Sequence, residues 1–197
     1  MRPDAEKLEK LAALDTEAAV AWERRCDELD DRLLHHEASH AILDCASGRG
    51  IKFVQLTGSS GVCVAAQGGG RGWIMGMLAG EIGGGIARRC ILPPFKEEIL
   101  AYIAKVRRGD EDCGCDEFRL ARFFVGLQNE DDDGIVDIWI RQWRRCVELL
   151  ADRIEGRIAL ARLTSELKKR RHMTGEEVEA VLDVEGLRAA FAEVFPA

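Results

Sequence analysis

The stretch His36-Glu37-Ala38-Ser39-His40 constrains this chain more than any other. It lies in a segment, Arg32 to Cys45, whose residues read as a helix. On a helix, residues four apart sit one turn above each other on one face. His36 and His40 can therefore aim one ring nitrogen each at a single point, and the fold must bring a third donor there to complete a metal site. Glu37 is one step round from His36, so its carboxylate reaches a water at such an ion rather than the ion itself. Two imidazoles with a carboxylate beside them is the layout of a zinc hydrolase: Zn²⁺ lowers the pKa of water, and the Glu takes its proton. Three of the four histidines, His35, His36 and His40, fall within six residues. A surface helix carrying incidental histidines is the competing reading, and it leaves that clustering unexplained.

The 197 residues, 47% hydrophobic and 32% charged, describe an ordinary globular domain with room for an extension. No apolar run approaches the length of a membrane span. The first residues, Met-Arg-Pro-Asp-Ala-Glu-Lys, lack the apolar core of a signal peptide. The expectation is a cytoplasmic protein without a membrane anchor. A net charge of −7 argues against a nucleic-acid partner. The basic run Lys168-Lys169-Arg170-Arg171 reads as the end of a helix, where cations favour the dipole. Seven cysteines follow no framework spacing and should be mostly reduced. Cys26, Cys45, Cys63, Cys90 and Cys146 read as small core residues, whereas Cys113-Gly114-Cys115 sits in a polar segment and is a weak candidate for a soft metal site or redox pair.

The chain reads as mainly α, with one small β-hairpin at about residues 51–66. Residues 1–29 form a helical extension with an apolar stripe (Leu8, Leu11, Ala12, Ala18, Val20, Trp22) broken near Asp15-Thr16, and residues 30–197 form the domain proper. Gly48-Arg49-Gly50 stops the metal helix. Strand-like runs Ile51–Leu56 and Val62–Ala66 flank the turn Gly58-Ser59-Ser60-Gly61. Gly68-Gly69-Gly70 lacks the Lys-Ser/Thr of a phosphate-binding loop. Trp73 to Ile91 is an apolar helix with five glycines, a composition that costs helix stability and points to close packing, with the metal helix as the expected neighbour. Pro93-Pro94 ends it. Helices follow at about 96–106 and 116–128. Ile135, Trp139, Trp143, Val147, Leu150, Ile154 and Ile158 then mark one face of a long helix, and Thr174-Gly175-Glu176-Glu177 is a capping box opening a short helix to Leu182.

The order of these pieces resembles the peptidase domain of the FtsH-type ATP-dependent zinc metalloproteases. His36-Glu37-Ala38-Ser39-His40-Ala41 is similar to the family's H-E-A-G-H-A, and Met77-Leu78-Ala79-Gly80 to its L-L-A-G. Gly114 to Val125 is similar to the helix that brings the third zinc ligand, and Met173 to Val178 to the C-terminal G-E-E-V segment. Ser39 stands where the family has Gly, and Glu81-Ile82-Gly83-Gly84 replaces R-A-A-E. Residues 1–30 hold no Walker sequence and no membrane span, so an ATP-independent, stand-alone version is expected.

The resemblance implies Zn²⁺ held by His36, His40 and a carboxylate at the start of a helix. Asp116 has the right side chain and place and is the expected third ligand; Glu117, which the apolar register of Phe118, Ala121 and Phe124 fits better, is the alternative. Asp110 and Asp112 are lesser candidates. Glu37 is the expected general base, and the expected partner is a peptide or unfolded protein substrate, bound along the strand edge Gly61–Ala66. The alternative is a peptidase-like module that holds zinc or a partner without hydrolysis. A peptidase that cuts one specific regulator is a further reading. Neither the physiological substrate nor the oligomeric state is legible in the sequence.

Overall fold

The computed structural model describes residues 30–196, apart from 59, 69, 112, 113 and 128–130. The expected N-terminal extension, 1–29, lies outside the described residues. The fold is mainly helical with a small three-stranded antiparallel sheet. Helical residues 30–46 (α1) carry the H-E-x-x-H stretch. Gly48 and Gly50, at φ 81° and 64°, then turn the chain into the sheet with a backbone that other residues rarely adopt. Strand β1 (Ile51–Thr57) pairs with β2 (Ser60–Ala65) in the expected hairpin.

The hairpin is two-thirds of the sheet. A third strand, β3 (His172–Thr174), pairs with the other side of β1, Val54 opposite Met173, which leaves β1 central and β2 at an edge. Three residues are too few to show a period, and only a partner far away in sequence makes them a strand.

Helix α2 (Gly70–Ala87) lies against α1, and its glycines are the reason it can. A Cβ at Gly83 would stand 2.3 Å from both the His35 carbonyl oxygen and the Ser39 hydroxyl. Ser39 is fully buried there. The glycine-rich composition thus sets the approach of the two helices, as the sequence predicts. Helices α3 (Lys96–Arg108), α4 (Asp116–Gly126) and α5 (Asp132–Val147) follow. Helix α4 packs on α2 and α3, and α5 packs on α2.

The single long helix expected through Ile158 is broken. After α5 comes a π-helical turn, Glu148–Asp152, then Arg153 in extended conformation, then α6 (Ile154–Arg170). Leu149 and Leu150 are buried, but Ile154 and Ile158 are 57% and 43% exposed. The apolar period runs on through the break, so it signals one helix where the backbone makes two. At Gly156 a Cβ would fall 1.8 Å from the Leu149 carbonyl oxygen, so α6 starts with its backbone against the π-turn.

The basic run closes α6 as expected, paired with acids: Lys168 with Asp31, Lys169 and Arg170 with Glu166, and Arg171 with Asp30. The capping box at Thr174 and Glu177 opens α7 (Gly175–Val181). A last helix, α8 (Val184–Val194), lies beyond the short helix that the sequence predicts to end the domain; Asp183 caps it by accepting from the Gly186 N–H. Leu34, Ile42, Val54, Ile82, Trp139, Leu149 and Leu163 belong to one continuous core that ties α1, β1, α2, α5 and α6 together. Cys90 is exposed rather than part of that core. Among the described residues no helix is long and apolar enough to cross a membrane.

Candidate metal centre

Helix α1 supplies two donors one turn apart, and the first residue of α4 supplies a third. His40 Nε2 lies 3.1 Å from His36 Nε2 and 3.1 Å from Asp116 Oδ2, and His36 Nε2 lies 3.8 Å from that same oxygen. A tetrahedral ion with bonds of about 2.0–2.1 Å holds its donors about 3.3–3.4 Å apart. The triangle brackets that spacing, and its N, N, O chemistry suits a borderline divalent cation. His36, His40 and Asp116 could hold a metal ion. The protein also orients the donors. His40 Nδ1–H donates to the Gly76 carbonyl of α2 at 2.7 Å, which turns Nε2 toward the other two. Gly80, one turn further along α2, leaves the space both rings occupy: a Cβ there would stand 2.3 Å from His36 Cε1 and 2.6 Å from His40 Nε2.

The electrostatics favour a cation. Burial, then the neighbouring His40, pushes His36 down to about 4, so it is neutral at pH 7 with a lone pair available. Burial also opposes a charge on His40, but the hydrogen bond and charge of Asp116, together with Glu37, outweigh it and hold His40 above its usual value. Burial opposes the Asp116 charge in turn, and the hydrogen bond and charge of His40 with the charge of His36 outweigh that. The pair thus holds a proton where an ion would sit, and binding an ion releases it.

Glu37 is 4% exposed. Gly61 of the edge strand β2 closes over it: a Cβ there would meet Glu37 Cγ at 2.5 Å. Burial raises the Glu37 carboxyl to about 7; the charge of His40 opposes the shift and that of Asp116 adds to it. A base poised near neutrality beside three metal-type donors is an arrangement fitted to moving a proton. The centre opens into a cleft of about 720 Å³, bounded by β2 on one side and by α2 and α4 on another.

The structure brings Asp116 to the two histidines and leaves Glu117 outside the triangle, though Glu117 lines the same cleft. Burial, with like charges at Glu81 and Asp116, raises the Glu117 carboxyl. Asp110 is exposed and paired with Arg108 at 2.8 Å. Asp112 and Cys113 lie outside the described residues, and Cys115 sits at the α4 N-cap on the wall of the cleft.

Two further residues line the cleft. Asp44, one turn beyond His40, pairs with Arg49, whose Nε also donates to the Gln67 carbonyl at 3.0 Å. Burial lifts Asp44 to about 6 despite that arginine. The i, i+4 spacing from His40 to Asp44 was available as a signal; the partner at 49 depends on the Gly48–Gly50 turn. No model of a known protein family matches this chain, and no curated protein matches it either.

Proposed function

We propose that this chain is a zinc metallopeptidase that hydrolyses peptide bonds in unfolded or flexible chains without ATP. The observation that carries the reading is the convergence of His36, His40 and Asp116 with the buried Glu37 packed beside them under Gly61. The motif order that resembles the FtsH-type peptidase domain supports it. A divalent ion at such a centre supplies Lewis acidity toward water and toward a peptide carbonyl. Glu37 accepts the proton of the attacking water and returns it to the leaving amine. His40, fixed by Gly76, keeps the donors in place, and the Asp44–Arg49 pair braces the turn beside the cleft. The edge of β2 lends backbone N–H and C=O groups to an extended substrate, which adds as a further strand. The free thiols of Cys45, Cys63, Cys90 and Cys146 suit a reducing, cytoplasmic setting.

The test is zinc content together with cleavage of unfolded casein. Wild type is expected to hold one zinc per chain and to cleave. Glu37→Gln should keep the zinc and lose about 10²–10⁴ in rate. A wild type that takes up no zinc removes the centre, and a Glu37→Gln variant as active as wild type removes the mechanism. Zinc binding without cleavage of any unfolded substrate leaves the non-catalytic module.

A further inference from the structure

A second cavity, of about 540 Å³, adjoins the metal cleft, and Met77, Glu81 and Glu117 line both. The two are different chemically. The cavity is walled by Tyr102, Leu120, Trp139 and Trp143 between α2, α3, α4 and α5. Leu120 and Trp139 are buried at its base, whereas Leu92 and Phe95 stand 67% and 65% exposed at its rim. Single exposed apolar residues are ordinary. Here two flank Pro93-Pro94, a stiff backbone, at the mouth of an aromatic-lined cavity within the usual size of a ligand site.

The junction is acidic. Glu81 pairs with Arg32 only at 3.7 Å, with both side chains nearly half exposed, so the pair is weak. Glu117 faces the charges of Glu81 and Asp116. Lys105, the basic residue of the cavity, is drawn over the Tyr102 ring at 5.1 Å. A cation entering between Glu81 and Glu117 meets two carboxylates, and a bulky apolar group beside it meets a waiting aromatic wall.

We propose that this cavity is a side-chain site of the peptide cleft: it takes a large apolar residue while Glu81 and Glu117 hold an adjacent lysine or arginine. The site rests on the peptide-cleft reading above and narrows it to one substrate class, chains in which a bulky apolar residue neighbours a basic one. One bulky side chain occupies such a cavity and leaves room for water, so selectivity by size is moderate and the charge adds to it.

The test separates this site from hydrolysis. Short labelled peptides of one length carry Trp-Lys, Ala-Lys or Trp-Glu at the centre, and their binding to the full chain, with zinc and without, is followed by fluorescence anisotropy. Trp-Lys is expected to bind roughly tenfold tighter than Ala-Lys and roughly fivefold tighter than Trp-Glu. Ala101 lines the cavity from an exposed position of α3, so Ala101→Trp fills the space and leaves every buried residue unchanged. That variant should bring the Trp-over-Ala ratio below about threefold, and Glu81→Gln should narrow the Lys-over-Glu ratio. Equal binding of the three peptides, or ratios unmoved in Ala101→Trp with helicity intact, overturns the site. If the preferences hold and casein is never cut, hydrolysis fails and the site stands. If casein is cut with no enrichment at such pairs and the peptides bind alike, hydrolysis stands and the site fails.

Discussion

Helices α1 and α2 approach each other through glycine, and so do α6 and the π-turn before it, yet the two contacts use the freed space differently. At Gly80 it is filled by the imidazole side chains of His36 and His40, and at Gly83 by the His35 carbonyl and the Ser39 hydroxyl. At Gly156 it is filled by backbone, the Leu149 carbonyl at 1.8 Å from where a Cβ would lie. The first contact shapes a site and the second shapes a chain path. A methyl group placed at each should therefore be felt in different measurements.

The largest effect is expected at the backbone contact. Side chains can rotate away from an added methyl; a carbonyl within a helical turn cannot. Gly156→Ala should cost about 3 kcal/mol, more than the roughly 1 kcal/mol that alanine gains over glycine in a helix interior. Urea denaturation reads this as a lower midpoint. The folded fraction should keep its full zinc content, because Gly156 is not among the residues that line the metal cleft. A Gly156→Ala protein as stable as wild type would mean that α6 slides easily on the π-turn.

The same contrast explains what could be read from the sequence. The α1 site is local: a four-residue spacing on a helix needs no knowledge of the rest of the fold, and the Thr174–Glu177 capping box is local in the same sense. The break after α5 is not local. Arg153 is no helix breaker by type, and Ile154 and Ile158 continue the apolar period, so nothing nearby announces that they end exposed. Strand β3 exists because Met173 meets Val54. The choice between Asp116 and Glu117 is a choice of about 100° around a helix, and it is decided by where α4 begins and how α4 lies on α2, not by either side chain.

At the side-chain contact the effect should appear in affinity instead. Gly80→Ala pushes a methyl into both imidazoles, and the rings must rotate to escape it. Loss of ligand orientation typically costs metal affinity tenfold to a hundredfold, and the upper end is expected because both rings are displaced. Competition with a zinc chelator measures it. Melting of the metal-free protein should change by less than in Gly156→Ala, since flexible groups rather than backbone give way. If Gly80→Ala instead unfolds the protein with zinc affinity intact, the two contacts do not differ in kind.

The smallest effect is expected within the contact of α1 and α2, where a buried carboxylate strains the fold. Glu37 is raised from about 4.5 to about 7 by burial, so the folded metal-free chain binds this proton more tightly than the unfolded one. The stability this group contributes is fully present below about pH 4.5 and is lost as pH rises through about 7. Glutamine has no charge to bury and keeps nearly the same shape. In the presence of chelator, Glu37→Gln and wild type should thus be similarly stable at pH 4.5. The variant should become the more stable of the two with rising pH, levelling off above pH 7 at about 2 kcal/mol once local solvent and relaxation are allowed for. Thermal melts of both proteins across that range provide the check. Zinc should shrink the difference, because a nearby dication favours the ionised carboxylate that glutamine lacks. A constant difference across the range would show that Glu37 ionises freely in the fold, and then burial of this carboxylate does not strain the cleft side of α1.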